Sequence, residues 1–164
     1  MCLYVNRNVH KGDSPNPLVA KKPILVYKVL GERLDGGRFT PYRRQDLKFK
    51  DGKAEMRIQI DDLKAYATPF IEEARFAVEE GIHAFCVGSV AADEVVWQDR
   101  WACFGNEYRI FLSVIPKGHK YFVGDAGDIV ATKLIIFETA EGLSDYEKKK
   151  KTDAVTVDEV VPGI

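Results

Sequence analysis

The sequence predicts one α+β domain. Its core is a bent, mainly antiparallel sheet of about six to seven strands, with one main helix and one short helix. Three observations predict this class. The chain has 164 residues, of which 46% are hydrophobic, which suits one core. Its strand-like apolar runs are separated by turns rich in Gly, Pro and Asp. The regular strand–helix alternation of a parallel sheet is absent.

The first third of the chain supplies loops and strands. Residues 6–23 are rich in Asn, Gly, Pro and Lys, so we expect a loop or an ordered arm. Ile24–Leu30 (ILVYKVL) has the β-branched and aromatic composition of a strand. The dipeptide at 51–52, Asp-Gly, is a hairpin signal between strands at Leu47–Lys50 and Ala54–Ile60.

The main helix is predicted between Thr68 and Gly81. Thr68 is a good N-cap, and Pro69 suits the first helical position. Gly81 fits the position just after the helix, where a left-handed backbone is common. An apolar stripe at helical spacing lies between them, formed by Phe70, Ala74, Ala77 and Val78.

The second half returns to strands. Ile82–Val87 predicts a short buried strand, and Ser89 can cap a short helix that runs to Val96. From Ser144 the chain becomes charged, so we predict a globular domain over 1–143 and a loosely held charged tail over 144–164. Three further strands are predicted at Tyr108–Ile115, Lys120–Val123 and Leu134–Phe137.

Charge and cysteine content limit the function classes. With 24 basic and 25 acidic residues, the net charge of −1 argues against non-specific binding of long nucleic acids. Cys2, Cys86 and Cys103 form no CxxC motif, so reduced thiols and a cytoplasmic location are expected, in the bacterial host if the protein is phage-encoded. No apolar run is long enough to cross a membrane. No motif predicts a metal site, a cofactor or a catalytic set.

The segment at 40–44 (TPYRR) is the first candidate for ligand contact. Tyr42 offers a stacking face, while the planar guanidinium groups of Arg43 and Arg44 match phosphate oxygens. A solvated turn explains the same residues equally well.

Two further segments are candidates. On the strand at 82–87, alternation places His83 and Phe85 on one face, where His83 can donate to an anion and Phe85 can stack on a base. A hydrogen-bonded core histidine is the competing interpretation of His83. Lys117 and Lys120 flank Gly118 in a turn and offer cations to a ligand, although a turn with surface lysines is sufficient to explain them.

Several motifs resemble those of a group of small proteins found in bacteriophages, prophages and gut bacteria. The resemblance covers about residues 1–137 and implies a viral context rather than a reaction. Its most specific parts are GIHAF (81–85) and IPKG (115–118). The other matching segments are MCL (1–3), VYKVL (26–30), TPYR (40–43), VEEGIHAF (78–85), KY (120–121) and GDIV (127–130).

These features lead to a binding protein as the first functional hypothesis. It is a phage-type protein that sequesters a small anionic ligand, such as a nucleotide-derived signal of bacterial immunity. The first alternative is an enzyme acting on a nucleotide, because a Tyr-Lys strand, a Gly-x-His strand and a late acidic residue before a strand resemble ADP-ribosyltransferase-like folds. The second alternative is a protein-interaction module that inhibits a host protein. A homo-oligomer is compatible with all three.

Overall fold

A computed structural model describes residues 3–59, 63–68, 75–100 and 106–161. Within these ranges the chain forms two antiparallel sheets and three helices, which confirms the α+β class. A three-stranded sheet has the order β1-β8-β7, from β1 (Leu3–Tyr4), β7 (Tyr66–Thr68) and β8 (Arg75–Val78). The larger sheet has ten strands: β2 (Leu18–Val19), β3 (Ile24–Glu32), β4 (Arg38–Phe39), β5 (Asp46–Leu47), β6 (Lys53–Arg57), β9 (Ile82–Phe85), β10 (Glu107–Ile115), β11 (Lys120–Val123), β12 (Asp128–Ala131) and β13 (Lys133–Phe137).

The larger sheet curls back on itself. Its order is β2-β11-β12-β9-β3-β10-β13-β6, with β4 and β5 attached beside β3. Only Thr132 separates β12 from β13 in the chain, yet β9, β3 and β10 lie between them in the sheet. The two halves must therefore approach each other, and the main core fills the space between them. Its fully buried members include Val26, Leu30, Ile115, Val123, Ile129, Leu134 and Ile136.

Three helices cover this sheet. Helix α1 (Gly88–Arg100) buries Ala91 against β3 and β9. Helix α2 (Ala140–Lys150) begins at the N-cap Thr139, whose hydroxyl accepts from the Gly142 amide, and it packs Leu143 and Tyr146 against β10 and β13. The short α3 (Val157–Val160) places Val157 in the main core.

The C-terminal segment is attached to the sheet. The Leu25 amide donates to the Val155 carbonyl at 2.8 Å, and the Val155 amide donates to the Pro23 carbonyl at 2.9 Å. Val157 and Val161 are 2% and 5% exposed. Helix α2 also runs across the predicted boundary between residues 143 and 144. The lysines at the end of α2 therefore lie between two segments that both bury side chains in the core.

The predicted main helix is wrong where the structure describes it. Thr68 ends a strand, its hydroxyl donates to the Arg75 carbonyl, and Arg75–Val78 forms β8. Strand pairing outweighs the helical pattern, because β8 pairs with β1 on one side and with β7 on the other. Residues 69–74, which include Pro69, Phe70 and Ala74, lie outside the described residues.

The predicted strand number is also too low, since the larger sheet alone has ten. Among the strands of the larger sheet that the sequence did not predict, β2 and β4 are two residues long, and β12 is joined to the next strand through one residue. The strand predicted at Leu47–Lys50 is represented only by β5, at Asp46–Leu47. The short helix predicted between Ser89 and Val96 is confirmed, but it begins at Gly88 and extends to Arg100, so Ser89 lies in its first turn and not at its N-cap. Within the described residues, no helix has both the length and the apolar composition that crossing a membrane requires.

Candidate functional site

One cavity brings together several of the residues chosen from the sequence. We call it the Lys28 cavity; its volume of about 520 Å³ falls within the range of small-molecule sites. Its walls come from β3, the loop between β4 and β5, the end of β6, and the turn that leads into β9. The lining residues are Lys28, Thr40, Pro41, Tyr42, Arg43, Gln45, Met56, Arg57, Ile58, Gln59, Glu79, Glu80, Gly81, Ile82 and His83.

The loop between β4 and β5 is closed by its own hydrogen bonds. The Thr40 amide donates to the Gln45 carbonyl at 3.0 Å, and the Gln45 amide donates to the Thr40 hydroxyl at 3.0 Å. Pro41 fixes the first turn of the loop. Arg44 turns the backbone with a φ of 49°. Thr40 is buried, so the loop projects Tyr42 and Arg43 from a fixed base.

Tyr42 is held in place by helix α1. Its hydroxyl donates to Oε1 of Glu94 at 2.7 Å, and Nε2 of Gln98 donates to the same oxygen at 2.9 Å. Burial, together with the hydrogen bond to the Glu94 carboxylate, raises the pKa of Tyr42 to about 12. The phenol therefore stays protonated at neutral pH. Tyr42 is 47% exposed, so its ring remains available as a stacking surface.

His83 presents a neutral imidazole to the cavity. Burial and the nearby charges of Lys28 and Arg43 lower its pKa to about 4, although the Glu79 carbonyl raises it. Nδ1 and Nε2 of the ring are both buried, and neither makes a hydrogen bond of good geometry with a described residue. Buried polar atoms usually have partners. Among the described residues, the competing interpretation, a hydrogen-bonded core histidine, is supported only by the nearby Glu79 carbonyl and by no hydrogen bond of good geometry.

Gly81 brings the chain into the cavity wall just before His83. Its φ of 140° is rarely adopted by residues with a side chain. A Cβ atom there would lie 2.4 Å from Cγ2 of Val130 and 2.9 Å from Cδ2 of Leu63. Gly81 was expected to end a helix, but it forms the turn between β8 and β9.

Lys28 is a buried cation at the inner side of the cavity. It shares a face of β3 with the core residues Val26 and Leu30, and it is 7% exposed. Its ammonium group donates to the His83 carbonyl at 2.6 Å. Burial lowers the pKa of Lys28 to about 8, while the Glu94 carboxylate raises it. Lys28 is therefore mostly protonated at neutral pH.

Charge is distributed unevenly across the cavity. The carboxylates of Glu79 and Glu80 are at exposed positions, and Arg43 and Arg57 are exposed as well. Lys28 alone among these charged residues is buried. The inner side therefore carries positive charge without an ion pair to a described carboxylate, whereas the rim carries both signs.

Three of the seven predicted ligand residues, Tyr42, Arg43 and His83, line the cavity. Arg44 follows in the same loop but is not part of the lining. Lys117 is exposed in the turn between β10 and β11, and Lys120 lies in β11; neither lines the cavity.

Phe85 lies two positions after His83 in β9, and α1 covers it. It packs with Val29, Phe39, Ala91 and Tyr108 and is 9% exposed. In this arrangement Phe85 has no exposed face on which a base could stack.

Sequence reasoning missed Lys28 and Arg57 as members of the site. Lys28 does leave a signal, because it is the single charged residue within the apolar run ILVYKVL. Lysine is almost never fully buried unless it is paired or functional. Arg57 leaves none, since it looks like any exposed residue of an alternating strand.

Comparisons of the chain with protein-family models, curated proteins and solved structures gave no match. Within the described part of the chain, no three His, Cys, Asp or Glu side chains lie together as a metal site requires.

Proposed function

We propose that this protein binds and retains a small anionic ligand of the nucleotide type in the Lys28 cavity. The supporting observation is the meeting of Tyr42, Arg43 and His83, which lie up to 41 positions apart in the sequence, in one cavity. An aromatic face and a guanidinium group suit a base and a phosphate respectively. The resemblance to phage and prophage proteins supports the biological role: the protein withholds a nucleotide-derived immune signal from the bacterial host.

An enzyme acting on a nucleotide is the second candidate. It is favoured by one observation: the Tyr-Lys strand and the Gly-x-His strand meet at the cavity, where Lys28 donates to the His83 carbonyl. The late acid of that pattern has no counterpart in the lining. Asp128, an acid that begins a strand, accepts from the Ala126 amide within its own turn.

A nucleotide panel separates these activities. The full chain is incubated with the panel, denatured, and the supernatant analysed by mass spectrometry. Under the proposal one nucleotide is depleted from solution and recovered unchanged. A chemically altered nucleotide supports the enzyme, and no depletion of any nucleotide favours the third hypothesis, a module that binds a host protein.

Substitutions at two neighbouring arginines form a matched pair that tests where the nucleotide binds. Arg43 lines the cavity, so Arg43→Ala should weaken binding tenfold or more, as roughly 1.4 kcal/mol implies, with an unchanged melting temperature. Arg44→Gly keeps the positive φ of the loop and removes a side chain outside the lining. Its affinity should match that of the wild type. Normal binding by Arg43→Ala would place the ligand elsewhere.

A further inference from the structure

Lys28 is exceptional among the cations of this chain. Of the lysines and arginines in the described residues, it is the one whose side chain is buried. An ammonium group has three N–H donors, and among the described residues Lys28 has one acceptor, the His83 carbonyl at 2.6 Å. No carboxylate of the described residues lies within ion-pair distance of it.

Such an arrangement is unfavourable for the protein by itself. A buried charge without an ion-pair partner loses its hydration, and one carbonyl dipole together with the more distant Glu94 carboxylate compensates only part of that loss. The lowered pKa of Lys28 reflects the same cost. The charge lies beside a cavity rather than inside closed packing, so a ligand can supply the missing negative charge.

A purely structural role for Lys28 is the competing explanation. Strands β3 and β9 pair only at Tyr27 and Phe85, and β4 joins β3 at Gly31 and Glu32. Lys28 lies in β3 between these two points of pairing, where its ammonium group donates a hydrogen bond to the His83 carbonyl. A structural role needs this one hydrogen bond and no ligand.

We propose that the inner side of the cavity is a phosphate subsite, in which the Lys28 ammonium group binds the phosphate and the His83 imidazole lies beside it. The subsite deepens the proposed function and rests on it for the rest of the ligand, which Tyr42 and Arg43 contact. A phosphate supplies an ion-pair partner for Lys28 and can accept hydrogen bonds from the two N–H groups that have no acceptor among the described residues. A neutral His83 adds one N–H donor without adding a second buried charge.

The test uses inorganic phosphate as the probe and sodium chloride of equal ionic strength as the reference. Phosphate is set at ten times its dissociation constant for the wild type, which should raise the melting temperature by about 3–6 °C over chloride. Lys28→Met should show no such rise, and its melting temperature in chloride should equal or exceed that of the wild type, because a methionine of similar length needs no counter-charge. Lys117→Met is the control: it removes an exposed lysine outside the cavity and should keep the full rise.

A second measurement on the wild type does not depend on the variant's folding. Phosphate at the same concentration should slow reductive methylation of Lys28 about tenfold and leave Lys117 unchanged. The subsite is refuted if phosphate stabilises the wild type no more than chloride, if Lys28→Met keeps the rise, or if Lys28 is not protected. Retention of a nucleotide without any phosphate effect removes the subsite and leaves the proposed function. Phosphate-specific stabilisation with no nucleotide retained supports the subsite and removes the nucleotide as the proposed ligand.

Discussion

Acidification below pH 6.5 should destabilise the protein through His83. Burial and the adjacent cations lower its pKa from 6.5 to about 4 in the folded state. Its contribution to stability is therefore complete above pH 6.5 and is lost as the pH falls towards 4, because the unfolded chain takes up a proton that the folded chain resists. Between pH 7 and pH 5 this linkage removes about 2 kcal/mol from the free energy of unfolding.

Urea unfolding at pH 7 and pH 5 measures this loss, with the slope against urea checked for constancy. In His83→Phe the difference between the two pH values should shrink by about 2 kcal/mol, because the planar ring remains and the titrating group is gone. His119→Gln is the control, since His119 is much less buried and its pKa is lowered less than that of His83. The reasoning fails if the wild type and His83→Phe lose stability equally on acidification.

Three other predictions concern the core and the C-terminal segment. Phe111, which is 2% exposed in the main core, should cost ~3–5 kcal/mol when replaced by alanine, as measured by urea unfolding; a loss below roughly 1 kcal/mol would place it at the surface. Burial raises the pKa of the Cys86 thiol to about 12, so a thiol reagent should label it only on unfolding, and rapid labelling of native protein would contradict its burial. Deleting residues 152–164 removes Val157 and Val161 from the core and should lower stability by at least about 3 kcal/mol; unchanged thermal unfolding would show that this segment is dispensable.

Local sequence patterns predicted those features whose conformation depends only on neighbouring residues in the chain. The Asp51-Gly52 turn is confirmed, with φ of 55° and 77° and reciprocal hydrogen bonds between Lys50 and Lys53. Its flanking strands, however, pair with β4 and β13 rather than with each other beyond that bridge. Turn chemistry is local, whereas the partner of a strand depends on the whole topology.

The segment at 75–78 shows the opposite case. Its sequence, RFAV, lies within a charged and apolar pattern of helical spacing, and only the neighbouring strands β1 and β7 make it a strand. The residues of the site also divide into those that local sequence predicts and those that it does not. Tyr42 and Arg43 are recognisable because a rigid loop carries them, but the pairing of Lys28 with the His83 carbonyl joins residues 55 positions apart. No spacing rule reports such a contact.

The self-closed loop between β4 and β5 has an evolutionary consequence. The two bonds between Thr40 and Gln45 fix the ends of the loop, so substitutions at 41–44 can change the outer wall of the cavity without disturbing the sheet. Lys28 has no such freedom, because its neighbours on the same face of β3 belong to the main core. Selection for a different ligand would then act first on this loop. Related proteins would be expected to diverge at 41–44 while keeping the cation on β3.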